Sequence, residues 1–161
     1  MSKLIRIISA LIVIAGVGGY NYLTKDKDYA SANNNSAKST PPNAPIIDNQ
    51  EQILTKIRTQ RENTHARFWL ETKAEVIKLL KDDLKGSQHQ KFLIKLAPDI
   101  TLLVAHNIDL GKRVPLQKGD SIKIRARYEW NNRGGVLHWT HHDPKGKQIG
   151  GWIYADGKYY K

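Results

Sequence analysis

The sequence predicts a mostly β protein: a small closed or partly open β-barrel, preceded by a short helix and an N-terminal membrane helix. Three observations carry this. From Trp69 onward the chain breaks into short runs that alternate apolar and polar residues, separated by Gly-, Asn- and Asp-containing turns. Just before them lies one stretch with helical spacing of its apolar residues. At the start, Ile7 to Leu23 carries no charge at all.

Segment 1–23 places Lys3 and Arg6 ahead of IISALIVIAGVGGYNYL. That run is about 17 residues long, near the lower limit for a membrane-spanning helix. A basic start before an apolar run also describes a secretory signal. The cleavage pattern Ala30-Ser31-Ala32 lies well past the run, so an uncleaved anchor is the expectation, with its basic end inside. The chain is then a single-pass protein of the inner membrane whose C-terminal domain faces the periplasm or another extracytoplasmic space. Secretion after cleavage is the alternative. Segment 24–47 is rich in Asn, Ser, Ala and Pro and offers little to a core, so it reads as a disordered tether. Its root-mean-square reach is roughly 25 Å if flexible.

Segment 48–69 reads as a short helix over about Asn49 to Asn63. Asp48 is its predicted cap and Glu51 the capping-box partner. Ile53, Leu54 and Ile57 supply the apolar stripe, and His65 falls at the frayed end as a solvated side chain.

Segment 70–161 is the predicted barrel. Glu71 to Leu84 fits strand or helix by pattern and is read as a strand, because it leads straight into a hairpin. In that hairpin FLIKL and ITLLVAH flank the turn at Ala97-Pro98-Asp99. After Gly119-Asp120, Ile122, Ile124, Ala126, Tyr128 and Trp130 fall on one face, and Lys123, Arg125, Arg127 and Glu129 on the other. Alternation of this kind buries one face and wets the other. NNRGG then turns, VLHWTHHD follows as a strand ended by Pro144, and a last hairpin folds around Ala155-Asp156-Gly157. Six or seven short strands with little helix are best closed into a barrel, which removes exposed edges. A five-stranded Greek-key, OB-like barrel is the first choice and a small sandwich the second.

The stretches HQKFLIKL, TLLVAHNIDL, YEWNNRGG, HWTHHDP and GGWI, with DGKYY after them, stand in this order from Glu71 to Lys161. They resemble the bacterial domain-of-unknown-function family 3465. The resemblance implies a bacterial protein. It carries no catalytic role onto any residue.

Composition restricts the chemistry. There is no cysteine, which excludes disulfides, thiolate metal sites and a cysteine nucleophile. Twenty-six Lys and Arg against 15 Asp and Glu leave a net charge of +11, which favours anionic partners. Solubility alone is the plainer explanation of that charge.

Three of the six histidines crowd into HWTHHD, at His138, His141 and His142. As a helix this would be metal spacing, but Gly134, Gly135 and Pro144 at its flanks argue against one. As a strand, His138 and His142 share one face about 13 Å apart and cannot share one ion. His141 and Asp143 share the other face and make the best local ligand pair. His89 or His106 would have to complete a site for a divalent metal, zinc or manganese. The same cluster, His106, His138, His141, His142 and Asp143, is the candidate centre of a metal-dependent hydrolase of phosphodiesterase or nuclease kind. No HExxH, P-loop or GxSxG pattern supports a named catalytic class.

A binding module is the favoured reading. Lys123, Arg125 and Arg127 on the wet strand face could follow a phosphate backbone, with Trp139 and Trp152 stacking on bases. The ligand class is an anionic polymer, nucleic acid before polysaccharide. A tryptophan on a small barrel is ordinarily core, which is the competing account of both. A structural envelope protein, its basic face against an acidic partner, is the third reading.

Overall fold

The computed structural model describes residues 45–161. The expected anchor and most of the expected tether lie outside the described residues. Among the described residues, no helix is long and apolar enough to cross a membrane.

The described residues form eight strands and one helix. They are β1 (Ile46–Ile47), α1 (Gln50–Thr59), β2 (Arg67–Leu79), β3 (His89–Ala97), β4 (Ile100–Asn107), β5 (Ser121–Glu129), β6 (Val136–His138), β7 (Trp152–Ala155) and β8 (Lys158–Tyr160). The sheet order is β1-β2-β3-β4-β6-β5-β7-β8, and β2 also pairs with β5. That last pairing closes five strands, β2, β3, β4, β6 and β5, into a barrel. β4 and β6 run parallel, while the other four pairings of the ring are antiparallel.

β2 makes the closure possible. Residues 67–75 pair with β5 and residues 75–79 with β3. The register slips between Val76 and Lys78, so Ile77 is an extra residue in the ladder. An added residue of this kind bends and twists its strand, which lets β2 leave one neighbour for the other.

The alternation in β5 sorts as expected. Ile122, Ile124, Ala126 and Tyr128 are buried, and they meet Phe68, Leu70, Phe92, Ile94, Leu102, Val104, Leu137 and Ile153 in one core. Trp130 departs from that row. It stands beyond the end of β5, half-buried, and its indole N–H donates to the Arg61 carbonyl at 2.6 Å.

α1 is shorter than the periodicity suggests, and its cap is one residue later. Asn49, not Asp48, accepts the N–H of Gln52, at 3.0 Å. Ile53 and Ile57 enter the core, and Leu54 packs against it. Arg58 in the last turn of the helix and Arg61 just beyond it grip Asp99 in the β3–β4 turn, so α1 covers that end of the barrel. The final hairpin turns on Asp156 and Gly157, both at positive φ (47° and 72°), the pairing that a two-residue hairpin of matching twist requires.

The main correction concerns VLHWTHHD. β6 stops at His138, after three residues. Trp139 adopts φ 57°, a left-handed conformation that ends the strand, and residues 139–151 form a loop. The two-face assignment of His141, His142 and Asp143 therefore does not hold.

Candidate binding face and histidine cluster

Inward-facing rows end in polar residues at the barrel end away from α1. In β3 the row runs Ile94, Phe92, Gln90, and in β4 it runs Ile100, Leu102, Val104, His106. The Gln90 amide donates to the Val114 carbonyl at 2.8 Å and accepts the Val114 N–H at 2.9 Å. His106 is fully buried. Its Nε2 lies 3.0 Å from the Lys112 carbonyl and its Nδ1 2.8 Å from Thr140 Oγ1. Burial pushes the His106 ring below its ordinary value, so it is neutral near pH 7. A carbonyl can only accept, so Nε2 carries the proton and Nδ1 accepts from the Thr140 hydroxyl. Both nitrogens are then engaged in holding loops 108–120 and 139–151 onto the barrel.

The other expected ligands are similarly engaged. His141 is buried, its Nδ1 donates to the His142 carbonyl at 2.6 Å, and burial lowers its pKa also. His89 Nδ1 lies 2.9 Å from the Ser87 carbonyl. Asp143 accepts the backbone N–H groups of Lys145, Lys147 and Gln148 at 3.0, 2.7 and 2.8 Å, which lower its pKa and shape the loop. His142 is exposed. The rings of His89, His106 and His141 are close enough to repel one another when charged. Among the described residues, no group of three or more His, Asp or Glu side chains is arranged to hold a metal ion.

The expected polymer-binding residues come together on the outer face of β5 and its neighbours. Register places Arg125 opposite Trp152 and Lys123 opposite Tyr154. Across β2, Arg125 faces Glu71 and Lys123 faces Lys73. The Arg125 guanidinium lies 5.4 Å from the Trp152 ring centre, and that of Arg127 lies 5.3 Å from Trp139. Trp139 stacks on His141 at 5.6 Å. Tyr159 meets both Trp152 and Tyr154, at 5.0 and 4.8 Å.

Both arginines have acidic partners that charge counting alone does not reveal. Arg125 donates twice to Glu71 Oε2, at 3.0 and 2.8 Å. Arg127 donates to Glu129 Oε1 at 2.5 Å, and Arg67 and His138 stand 3.4 and 3.2 Å from the same oxygen. Burial pushes the Glu129 carboxyl up, but His138, Arg127 and Arg67 outweigh that and hold it at about 2. The Lys73–Lys123 pair is exposed, so the positive charge offered outward concentrates there.

Trp139 reaches this face through its backbone. In the β6 alternation Leu137 points into the core, and residue 139 would follow it. The left-handed turn at φ 57° instead brings the indole beside Arg127, half-buried. Gly151 makes room for that turn: a Cβ there would stand 1.8 Å from the Trp139 carbonyl oxygen and 2.5 Å from that of Arg125. Only glycine fits so close an approach.

Sequence reasoning missed Glu71 as the partner of Arg125, because 54 residues separate them. It also missed Tyr154 and Tyr159. Tyr154 had a readable signal, since it lies two positions from Trp152 and thus on the same strand face.

Residues 43–161 match the family model described as a protein of unknown function (DUF3465). No curated protein matches the chain.

Proposed function

The chain belongs to the DUF3465 family, and from that premise we propose that its barrel is a binding module. We place it in the OB class, held at a membrane by its N-terminal segment. Its ligand is an anionic polymer, nucleic acid before polysaccharide. It docks on the outer face of β5, β6 and β7.

The conformation of Trp139 carries this reading. A bulky residue at positive φ costs roughly 1–2 kcal/mol, and such strain gathers at functional sites. Here the strained turn moves a large aromatic ring out of the core row and beside a guanidinium. Trp152 repeats the arrangement with Arg125. Indole rings backed by guanidinium planes suit the stacking of successive bases. Lys73 and Lys123 suit the phosphates between them. A five-stranded barrel of this class also binds oligonucleotides and oligosaccharides in other proteins.

The paired arginines make the electrostatic share small. If two or three phosphates are neutralised, log K should fall against log salt with a slope of about -1.4 to -2.1 for a single strand. Anisotropy of a labelled oligonucleotide with the detergent-solubilised full chain measures this. No binding at low ionic strength, or binding that ignores salt, refutes the reading. Tighter binding of an acidic polysaccharide would keep the face and replace the ligand. For the tether, fractionation should find the intact chain in the membrane. A soluble product that starts at Asn33 would refute the anchor.

A further inference from the structure

We propose a second binding site, for a small ring-bearing anion of the nucleoside monophosphate kind, in the cleft at the α1 end of the barrel. The cleft has a volume of about 600 Å³ and lies between the end of α1, the β3–β4 turn and the turn at 130–135. That volume falls within the range of small-molecule sites. None of its lining residues belongs to the outer face described above.

Its walls are fastened before any ligand arrives. Arg58 clasps Asp99 through two hydrogen bonds, at 3.0 and 2.8 Å, and Arg61 adds two more to the same residue, both at 3.1 Å. These bonds join α1 to the β3–β4 turn. On the opposite side, the Asn131 side chain accepts the N–H groups of Arg133 and Gly135 at 2.8 and 3.0 Å. The Tyr128 hydroxyl donates to the Gly134 carbonyl at 3.2 Å. Gly135 lies so flat on the Tyr128 ring that a Cβ would come within 2.3 Å of it. The Trp130 indole N–H, donating to the Arg61 carbonyl, joins this side to the helix. A cleft held by bonds on every side pays little ordering cost on binding.

The lining specifies the ligand chemistry. Ile57, Ile100 and Tyr128 supply apolar floor, and Trp130 contributes its ring, because its one polar group is already bonded. Such a floor takes a flat or puckered ring. Around it stand Arg61 and Arg133. Asp99 is the lining carboxylate, and the adjoining Arg58 and Arg61 hold its pKa down to about 2, chiefly through the Arg58 hydrogen bond. Arg58 and Arg61 share the single carboxylate of Asp99, so at this wall two guanidinium groups outnumber one carboxylate, which favours an anion. Guanidinium groups present the fork geometry that phosphate oxygens accept.

Calorimetry with the full chain in detergent tests this with three probes: adenosine 5′-monophosphate, adenosine and inorganic phosphate. The monophosphate should bind at least about ten-fold more tightly than either half, since each half makes only part of the contacts. Arg133→Ala should weaken the monophosphate and phosphate but not adenosine. Trp130→Leu should weaken the monophosphate and adenosine but not phosphate. If either variant misfolds, Asn132→Asp, which adds negative charge at the exposed rim, should weaken the monophosphate and spare adenosine. Trp139→Gly should leave all three unchanged. No monophosphate binding by the wild-type chain overturns the proposal. So does binding that survives every cleft variant, or that disappears with Trp139→Gly.

Discussion

Replacing Trp139 with glycine separates a binding residue from a core residue. The left-handed backbone at φ 57° costs roughly 1–2 kcal/mol in a residue with a Cβ, and glycine removes that cost. Against it stand the added freedom of glycine in the unfolded chain, about 0.5–1 kcal/mol, and the lost contact with Arg127, about 0.5–1 kcal/mol at a partly exposed site. The stack on His141 and the half-buried ring area are lost as well, so the net cost should be modest and stay below about 3 kcal/mol. Ligand binding has no such compensation. A lost aromatic stack costs about 1–3 kcal/mol per base, which is roughly 5- to 150-fold in affinity. Urea unfolding and oligonucleotide anisotropy on the same samples should therefore diverge, with a modest fall in midpoint and a loss of affinity that Arg125→Gln, at the neighbouring ring pair, should reproduce without needing a destabilised fold. Trp139→Asn, which tolerates the same backbone, should behave alike. A loss of more than about 3 kcal/mol, the size expected for a buried Trp truncation, would show the indole to be core. Unchanged affinity for a polymer that the wild-type chain binds would remove Trp139 from the site.

Glu129→Gln should cost about 3 kcal/mol, because it strands the largely buried Arg127 guanidinium beside a neutral group. In the wild-type chain the folded carboxyl sits at about 2 and the unfolded one near 4.5. Its contribution is thus complete above about pH 4.5 and lost as pH falls through about 2. Stability measured across that window should flatten in Glu129→Gln, and an unchanged acid profile would refute the pairing. His106 and His141 act in the opposite direction from an attracted histidine, since burial lowers both below the unfolded value of 6.5. The unfolded chain then takes up protons that the folded chain refuses, so stability should decline as pH drops below about 6.5, by up to about 1.4 kcal/mol per pH unit per ring. Urea midpoints from pH 7 to pH 5 should show a shallower decline in His141→Gln, and equal slopes would refute this. Ile124→Asp should unfold the domain by placing an unpaired charge in the core. Arg125→Gln should cost no more than about 1 kcal/mol, the range of a partly exposed ion pair. Similar losses in the two would show that the strand faces are exchanged.

The sequence alone determined the elements whose signal is local. The alternation from Ile122 to Tyr128 sorts one face inward because neighbouring side chains on a strand point opposite ways. The β3–β4 hairpin and the Asp156-Gly157 turn were legible for a similar reason, since each joins strands adjacent in the chain. The outer basic face followed directly from the same alternation. What surrounds that face did not. Glu71 neutralises Arg125 only because β2 and β5 meet in one register, and that register is a property of the closed ring. His106 is a candidate ligand by residue type, and only closure of the ring brings Thr140 and Lys112 against its two nitrogens. The end of β6 was equally hidden. Trp139 suits a strand by composition, yet Gly151 and the β5 backbone meet its carbonyl from a distant part of the chain. Local propensity is worth about 1 kcal/mol per residue at most, and packing across a barrel readily exceeds it. The sequence therefore determined which residues face outward along β5, and the tertiary structure decided which of their charges and rings remain available to a ligand.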